Sequence, residues 1–70
     1  MPRIAAHITG TVSKIEKREG DPVAPGDVLV VLESMKMVMP LEADAPGTVR
    51  EVLCKEGQSV EEGQVLLVVG

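Results

Sequence analysis

Apolar residues along this chain come in short alternating stretches that stop at glycine or proline. Thr11-Val12-Ser13-Lys14-Ile15 and Thr48-Val49-Arg50-Glu51-Val52 are short runs rich in β-branched residues. Such residues suit a pleated, half-buried strand. Residues 28–32 and 65–69 are apolar throughout, which predicts interior strands covered on both faces. No useful length of the chain has helical spacing. Between the strands lie turn signals. Pro25-Gly26 fits a type II turn, with proline fixing the first central φ and glycine supplying the positive second one. Glu62-Gly63 repeats that glycine. Gly20-Asp21-Pro22 reads as a further turn, with the Asp21 side chain free to bond nearby backbone.

The pattern occurs twice. Shifted by 37 positions, Gly10-Thr11-Val12 falls on Gly47-Thr48-Val49 without a gap. Ile15 falls on Val52, Glu19-Gly20 on Glu56-Gly57, Val23 on Val60, Gly26 on Gly63, and Val28-Leu29 on Val65-Leu66. Ile4 and Ala6 likewise meet Leu41 and Ala43. Glycines and valines repeat while charged positions drift, as a duplicated unit requires when turns and core are constrained and surface is not. Residues 1–70 therefore predict one all-β domain. It is a flattened β-barrel or sandwich of two interlocked four-strand repeats with pseudo-two-fold symmetry. Neither copy alone could bury its apolar face. The chain passes between copies through residues 33–37, so one end should carry a closed hairpin and the opposite end both termini.

Composition narrows the function. A domain of 70 residues buries only about 60% of the surface its unfolded chain exposes. One cysteine and one histidine supply neither a disulfide nor a four-ligand zinc site. No metal is therefore expected, and regular packing must hold the fold. Phe, Trp and Tyr are absent, which removes the stacking platforms of single-strand nucleic-acid modules. A formal charge of −4 disfavours nucleic-acid backbones and anionic membranes. The apolar runs are too short to span a bilayer. No signal peptide is visible at the start, so a cytoplasmic location with a reduced thiol is the expectation.

One turn breaks the local rules. The apolar run ending at Leu32 leads into Glu33-Ser34-Met35-Lys36-Met37, and Val38-Met39-Pro40-Leu41 leads out. The tip falls at Met35-Lys36, whereas a two-residue hairpin loop prefers Asn-Gly or Asp-Gly because both central residues need positive φ. Elsewhere the chain places Gly and Pro correctly, and a rule broken at one site points to function there. Met35, Met37 and Met39 would lay a flexible apolar surface beside one amine. A lysine stem is long and flexible, and its amine can be acylated. The plain alternative is a solvated turn lysine with methionines packing an edge strand.

Glu33-Ser34-Met35-Lys36-Met37 resembles the Glu-Ala/Ser-Met-Lys-Met signature of biotin carboxyl carrier domains, and sits between the two halves of the repeat as it does in that family. The likeness covers nearly the whole chain, including Gly10-Thr11-Val12, Gly20-Asp21, Val23, Gly26, Pro40, Ala43 and Gly47-Thr48-Val49. It implies the biotinyl/lipoyl flattened barrel, with biotin covalently held on Lys36. Met35 and Met37 become the flanking residues read by a biotin protein ligase, with Glu33 and Ser34 completing the recognition turn. The partners implied are that ligase, a biotin carboxylase that loads a carboxyl group, and a carboxyltransferase that passes it on. The chain departs from the family in having Ile8-Thr9 before Gly10 where many members have Met-Pro. It also lacks the thumb insertion and the Ala/Pro-rich linker, and so reads as a separate carrier subunit.

The remaining reactive types read as structure. Cys54 shares a strand face with Val52 by alternation, and is expected to be a small packed residue rather than a nucleophile. His7 is expected at a solvated strand end, and Glu56, Glu61 and Glu62 on a solvated face. Glu33 itself could be only a solvated strand end. No nucleophile–base pair or phosphate cradle is present, so the domain should be carried substrate and not an enzyme. Two competitors stay open. A lipoyl carrier shares the fold and the turn lysine but usually has Asp-Lys at the tip. A non-carrier barrel serving as an interaction module leaves the Met-Lys-Met turn without a purpose.

Overall fold

The computed structural model describes residues 3–70; Met1 and Pro2, on which the reading of the chain's start partly falls, lie outside the described residues. The first half of the chain forms β1 (Arg3–Ala5), β2 (Gly10–Ile15), β3 (Pro22–Val23) and β4 (Val28–Ser34). The second half forms β5 (Met37–Glu42), β6 (Gly47–Val52), β7 (Ser59–Val60) and β8 (Val65–Val69). There is no helix among the described residues. β6 and β7 begin and end 37 residues after β2 and β3, at the offset of the sequence repeat.

The two halves interlock. One sheet has the order β1-β8-β6-β3 and the other β5-β4-β2-β7, so each takes two strands from each half. Hydrogen bonds tie the halves in symmetric pairs. The Val12 N–H donates to Gln58 O at 2.8 Å, and the Val49 N–H to Asp21 O at 2.9 Å. The Gly26 N–H donates to Ala43 O and the Gly63 N–H to Ala6 O, both at 2.9 Å. A turn of one half thus satisfies backbone groups of the other.

Between the sheets lies a core of aliphatic side chains. Leu29, Val30, Leu32, Leu66 and Leu67 have no exposed surface, and Val12, Val23, Val49 and Val60 are buried with them. The apolar runs of β4 and β8 are central in their sheets but are covered on one face only, contrary to expectation. Val28, Val31, Val65 and Val68 are half-buried on the outer side. Adjacent buried residues arise instead from β-bulges. In the β4–β5 pair, Val28 faces Glu42 and Val30 faces Leu41, leaving Leu29 as the extra residue. In the β1–β8 pair, Ile4 faces Leu67 and Ala5 faces Val65, leaving Leu66 extra. The extra residue points the same way as its neighbour, so Leu29-Val30 and Leu66-Leu67 both face inward.

The turns share one hydrogen-bonding scheme. In Ala24-Pro25-Gly26-Asp27 the Asp27 N–H donates to Ala24 O at 3.0 Å, while Asp27 Oδ2 accepts from the Ala24 N–H at 2.9 Å. Gly26 takes a φ of 90° there, as a type II turn requires, and Gly63 follows with 91°. The next turn is displaced from its expected place. It runs Arg18-Glu19-Gly20-Asp21, and Asp21 Oδ2 accepts from the Arg18 N–H at 2.9 Å, reaching backward along the chain. In the second half Gln58 and Gln64 replace the aspartates, and accept from the Lys55 and Glu61 N–H groups at 3.0 and 3.1 Å.

Two outcomes follow from the packing and the turns. Val60→Ala should cost about 1–3 kcal/mol through lost burial and a cavity, read by urea unfolding followed with far-UV circular dichroism. The Ala24 N–H, and more weakly the Lys17 ammonium at 3.4 Å, hold the Asp27 carboxyl below its ordinary range against some desolvation. A lowered folded pKa contributes stability that is complete above the unfolded value of about 3.9 and is lost as pH falls through the folded value. Asp27→Asn should therefore flatten the fall in melting temperature between neutral pH and acid below that range, and an unchanged fall would contradict the assignment.

Candidate functional site

β4 and β5 form a hairpin closed at the Ser34–Met37 pair, with Met35 and Lys36 as its two loop residues. Met35 has a φ of 46° and Lys36 a φ of 72°, the positive pair that a type I′ turn demands. All other positive-φ residues described are glycines, at Gly20, Gly26, Gly57 and Gly63. A left-handed conformation costs a residue with a Cβ roughly 1–2 kcal/mol. The flanking ladder offsets that cost, because Val31, Leu32, Glu33 and Ser34 pair in unbroken register with Pro40, Met39, Val38 and Met37. β2 holds the other edge of β4, with Thr11 facing Glu33 and Val12 facing the buried Leu32.

The tip is open to solvent. Met35 is 92% exposed, and Met37 and Val38 are each 60% exposed. Lys36 and Glu33 are exposed, while Ser34 and Met39 are half-buried. Both ion pairs among the described residues, Lys14–Glu16 and Lys17–Asp27, lie elsewhere. All five residues of the predicted recognition turn thus gather on one hairpin, with exposed methionines immediately before and after the exposed Lys36. β5 is the edge strand of its sheet, which accommodates Pro40 without loss of a ladder hydrogen bond.

Two contributors have no mark in the tip motif itself. Val38 extends the exposed apolar surface of the tip. Gly10 supports the tip from below, because a Cβ there would collide with the Glu33 carbonyl oxygen and stand 3.2 Å from Ser34 Cβ. The repeat holds the signal, since Gly47 is its counterpart and lies against Gly70, although a Cβ there would stand 3.5 Å from the Gly70 carbonyl oxygen, in ordinary contact. The other end of β5 leads to residues 43–46, which line a surface cleft with Arg3, Ile4, Val69 and Gly70. A six-residue strand spans about 20 Å, so the hairpin tip and Gly70 stand at opposite ends.

Other reactive side chains lie away from the tip. Cys54 follows the end of β6 instead of extending its face, is only 6% exposed, and joins the core. Burial raises its thiol pKa. His7 is exposed just beyond β1. Glu61 and Glu62 are solvated as expected. Glu56 is exposed too, and in addition its Oε2 accepts from the Ile15 N–H at 3.0 Å across the two halves.

Residues 1–69 match the family described as biotin-requiring enzyme, the biotinyl/lipoyl family. The chain belongs to that family. It is 46% identical over 44 residues to a Mycobacterium leprae protein named biotinylated protein TB7.3 homolog, covering 63% of this chain and 62% of that one. The chain therefore spans less than two thirds of the length of that curated relative. Its fold superposes with a TM-score of 0.92 and 38% identity on part of a single-chain, multi-domain long-chain acyl-CoA carboxylase, covering 97% of this chain and 7% of the other. The lipoyl domain of the Azotobacter vinelandii 2-oxoglutarate dehydrogenase complex matches with a TM-score of 0.77 and 32% identity, covering 89% and 78% of the two chains. The flattened barrel expected from turns and repeat is observed, and it is the biotinyl/lipoyl fold that the resemblance implied.

The two equivalent glycines of this barrel should respond differently to alanine. Gly10→Ala meets backbone that cannot yield, and should destabilise the protein by about 1–3 kcal/mol while shifting amide resonances of residues 33–38. Gly47→Ala meets the Val69 Cγ1 methyl at 2.9 Å, an atom that can move, and should cost less. Equal costs in urea unfolding would contradict the close approach at the hairpin.

Proposed function

We propose that this protein is a biotin carboxyl carrier domain that holds biotin in amide linkage on Lys36 Nζ. One observation carries the reading: the strained backbone pair Met35-Lys36 at an exposed tip. A turn lysine with no other role would sit as well on a glycine turn of lower cost, such as the chain builds four times elsewhere. The residues fit the group, since Lys36 is exposed at the tip and its two chain neighbours are exposed methionines. Their apolar surface suits a partner that must read the lysine's neighbours before acylating it. The exposed Glu33 and half-buried Ser34 complete the surface offered to a biotin protein ligase.

When bound, biotin supplies a ureido nitrogen that carries a carboxyl group from a biotin carboxylase to a carboxyltransferase. The chain's own residues do the positioning. The ladder of β4 and β5 fixes the Lys36 Cα, while the four-carbon stem leaves the far end of the arm mobile. Tethering raises the effective concentration of the reactive group at both partner sites. The domain acts as a carried substrate and not as an enzyme, in the cytoplasm, and the partner carboxyltransferase chooses the acceptor. Met35 and Met37 in place of an acidic neighbour favour biotin over lipoate.

Two variants test this. Lys36→Ala should take up no biotin from a biotin protein ligase with biotin and ATP, as read by intact mass and peptide mapping. Its stability should stay within about 0.5 kcal/mol of the parent, as for a surface substitution. Labelling of another lysine in that variant would refute the assignment. Met35→Asp combined with Met37→Val should slow biotin transfer while preserving a cooperative melt by far-UV circular dichroism. Transfer at the parental rate would remove the methionines from recognition, and a lost melt would place them in the core.

A further inference from the structure

The sulfur atoms of the described residues are unevenly placed. The one thiol, Cys54, is buried and its pKa is raised by desolvation, so it presents little reactive thiolate. Met39 is half-buried within β5. Met35, at 92% exposure, and Met37, at 60%, stand open on either side of Lys36. Thioether oxidation follows access to the sulfur lone pair, and it turns a flexible apolar side chain into a polar, chiral one. Of the described sulfurs, those most open to oxidant are thus the pair beside the amine whose apolar setting matters.

We propose that Met35 and Met37 form an oxidation site at which hydroperoxides, by converting the thioethers to sulfoxides, close the tip to biotin attachment. The inference rests on the reading that a ligase recognises Lys36 between two apolar neighbours. In the step, a methionine sulfur lone pair attacks the outer oxygen of hydrogen peroxide and the O–O bond breaks. The sulfur is oxidised by two electrons to S=O, and the departing hydroxide takes up the peroxide's proton as water. The sulfoxide oxygen is a strong acceptor that must be desolvated wherever the methyl-thioether surface had been buried against the ligase. The reaction leaves the core untouched, because neither Met35 nor Met37 is among the buried residues that form it. Methionine sulfoxide reductases reverse it, one enzyme for each epimer.

The test uses the full unbiotinylated chain and hydrogen peroxide. Met35 is the only methionine in tryptic peptide 19–36, while Met37 and Met39 share peptide 37–50 and are separated by fragmentation. Sulfoxide should appear at Met35 and Met37 before Met39, with the Cys54 thiol still free and the far-UV melt retained. Biotin transfer by a ligase with biotin and ATP should then fall at least about tenfold and recover after treatment with both reductases. In a Met35→Leu, Met37→Leu variant, whatever transfer the ligase supports should no longer change on treatment with peroxide. The proposal is overturned if Met39 or Cys54 reacts first, if doubly oxidised tip is labelled at the untreated rate, or if reductase treatment restores the thioethers but not the transfer. Failure of the untreated chain to accept biotin on Lys36 would instead overturn the carrier reading, and the gating with it.

Discussion

The structure depends on the exchange of strands between two halves that cannot fold alone. Each sheet takes two strands from each half, so the aliphatic core belongs to neither. Without Phe, Trp or Tyr, and without a disulfide or a metal-binding cluster among the described residues, the fold rests on leucine and valine packed in register. Two bulges let adjacent residues face inward, and place Leu29-Val30 and Leu66-Leu67 on opposite sides of one core. Cross-half hydrogen bonds from the turns then fix the sheets against each other.

That framework permits the strained tip. The glycine turns come in pairs 37 residues apart, Gly20 with Gly57 and Gly26 with Gly63, whereas Met35-Lys36 lies where one half passes into the other. There the chain crosses from one half to the other with no glycine to ease the bend. Strand pairing and the close approach of Gly10 to Glu33 impose on two ordinary residues a conformation that they would not choose. The result is a lysine with a fixed base and a free arm, in a molecule whose remaining described surface carries no comparable feature. Membership of the biotinyl/lipoyl family agrees with a design in which folding and presentation use different residues.

Much of this is legible in the chain. The repeat at 37 positions implies strand number, the interlock and the location of the hairpin, because buried valines and turn glycines tolerate few substitutes. The two positive φ angles follow from counting the residues left for the loop. What stays hidden depends on register. Residues 28–32 look apolar on both faces, and only the extra residue Leu29 in the pairing with β5 reveals a one-sided strand. The turn at Arg18–Asp21 is masked because Pro22 signals a bend further along, whereas the Asp21 carboxylate reaches back to the Arg18 N–H. Gln58 and Gln64 repeat the role of Asp21 and Asp27 with a longer side chain, a substitution that resembles surface drift. Glu56 likewise looks solvated in the sequence, although it accepts from the Ile15 N–H 41 residues away.

The framework sets the tip conformation before any group is attached. Backbone chemical shifts and residual dipolar couplings of the isotope-labelled chain, recorded before and after biotin attachment, test it directly. The account predicts left-handed φ at Met35 and Lys36 in both states, with shift changes confined to residues 33–38. Averaged, coil-like values at the tip of the unmodified chain, or changes spreading to Leu29, Leu32 and Leu66, would contradict it.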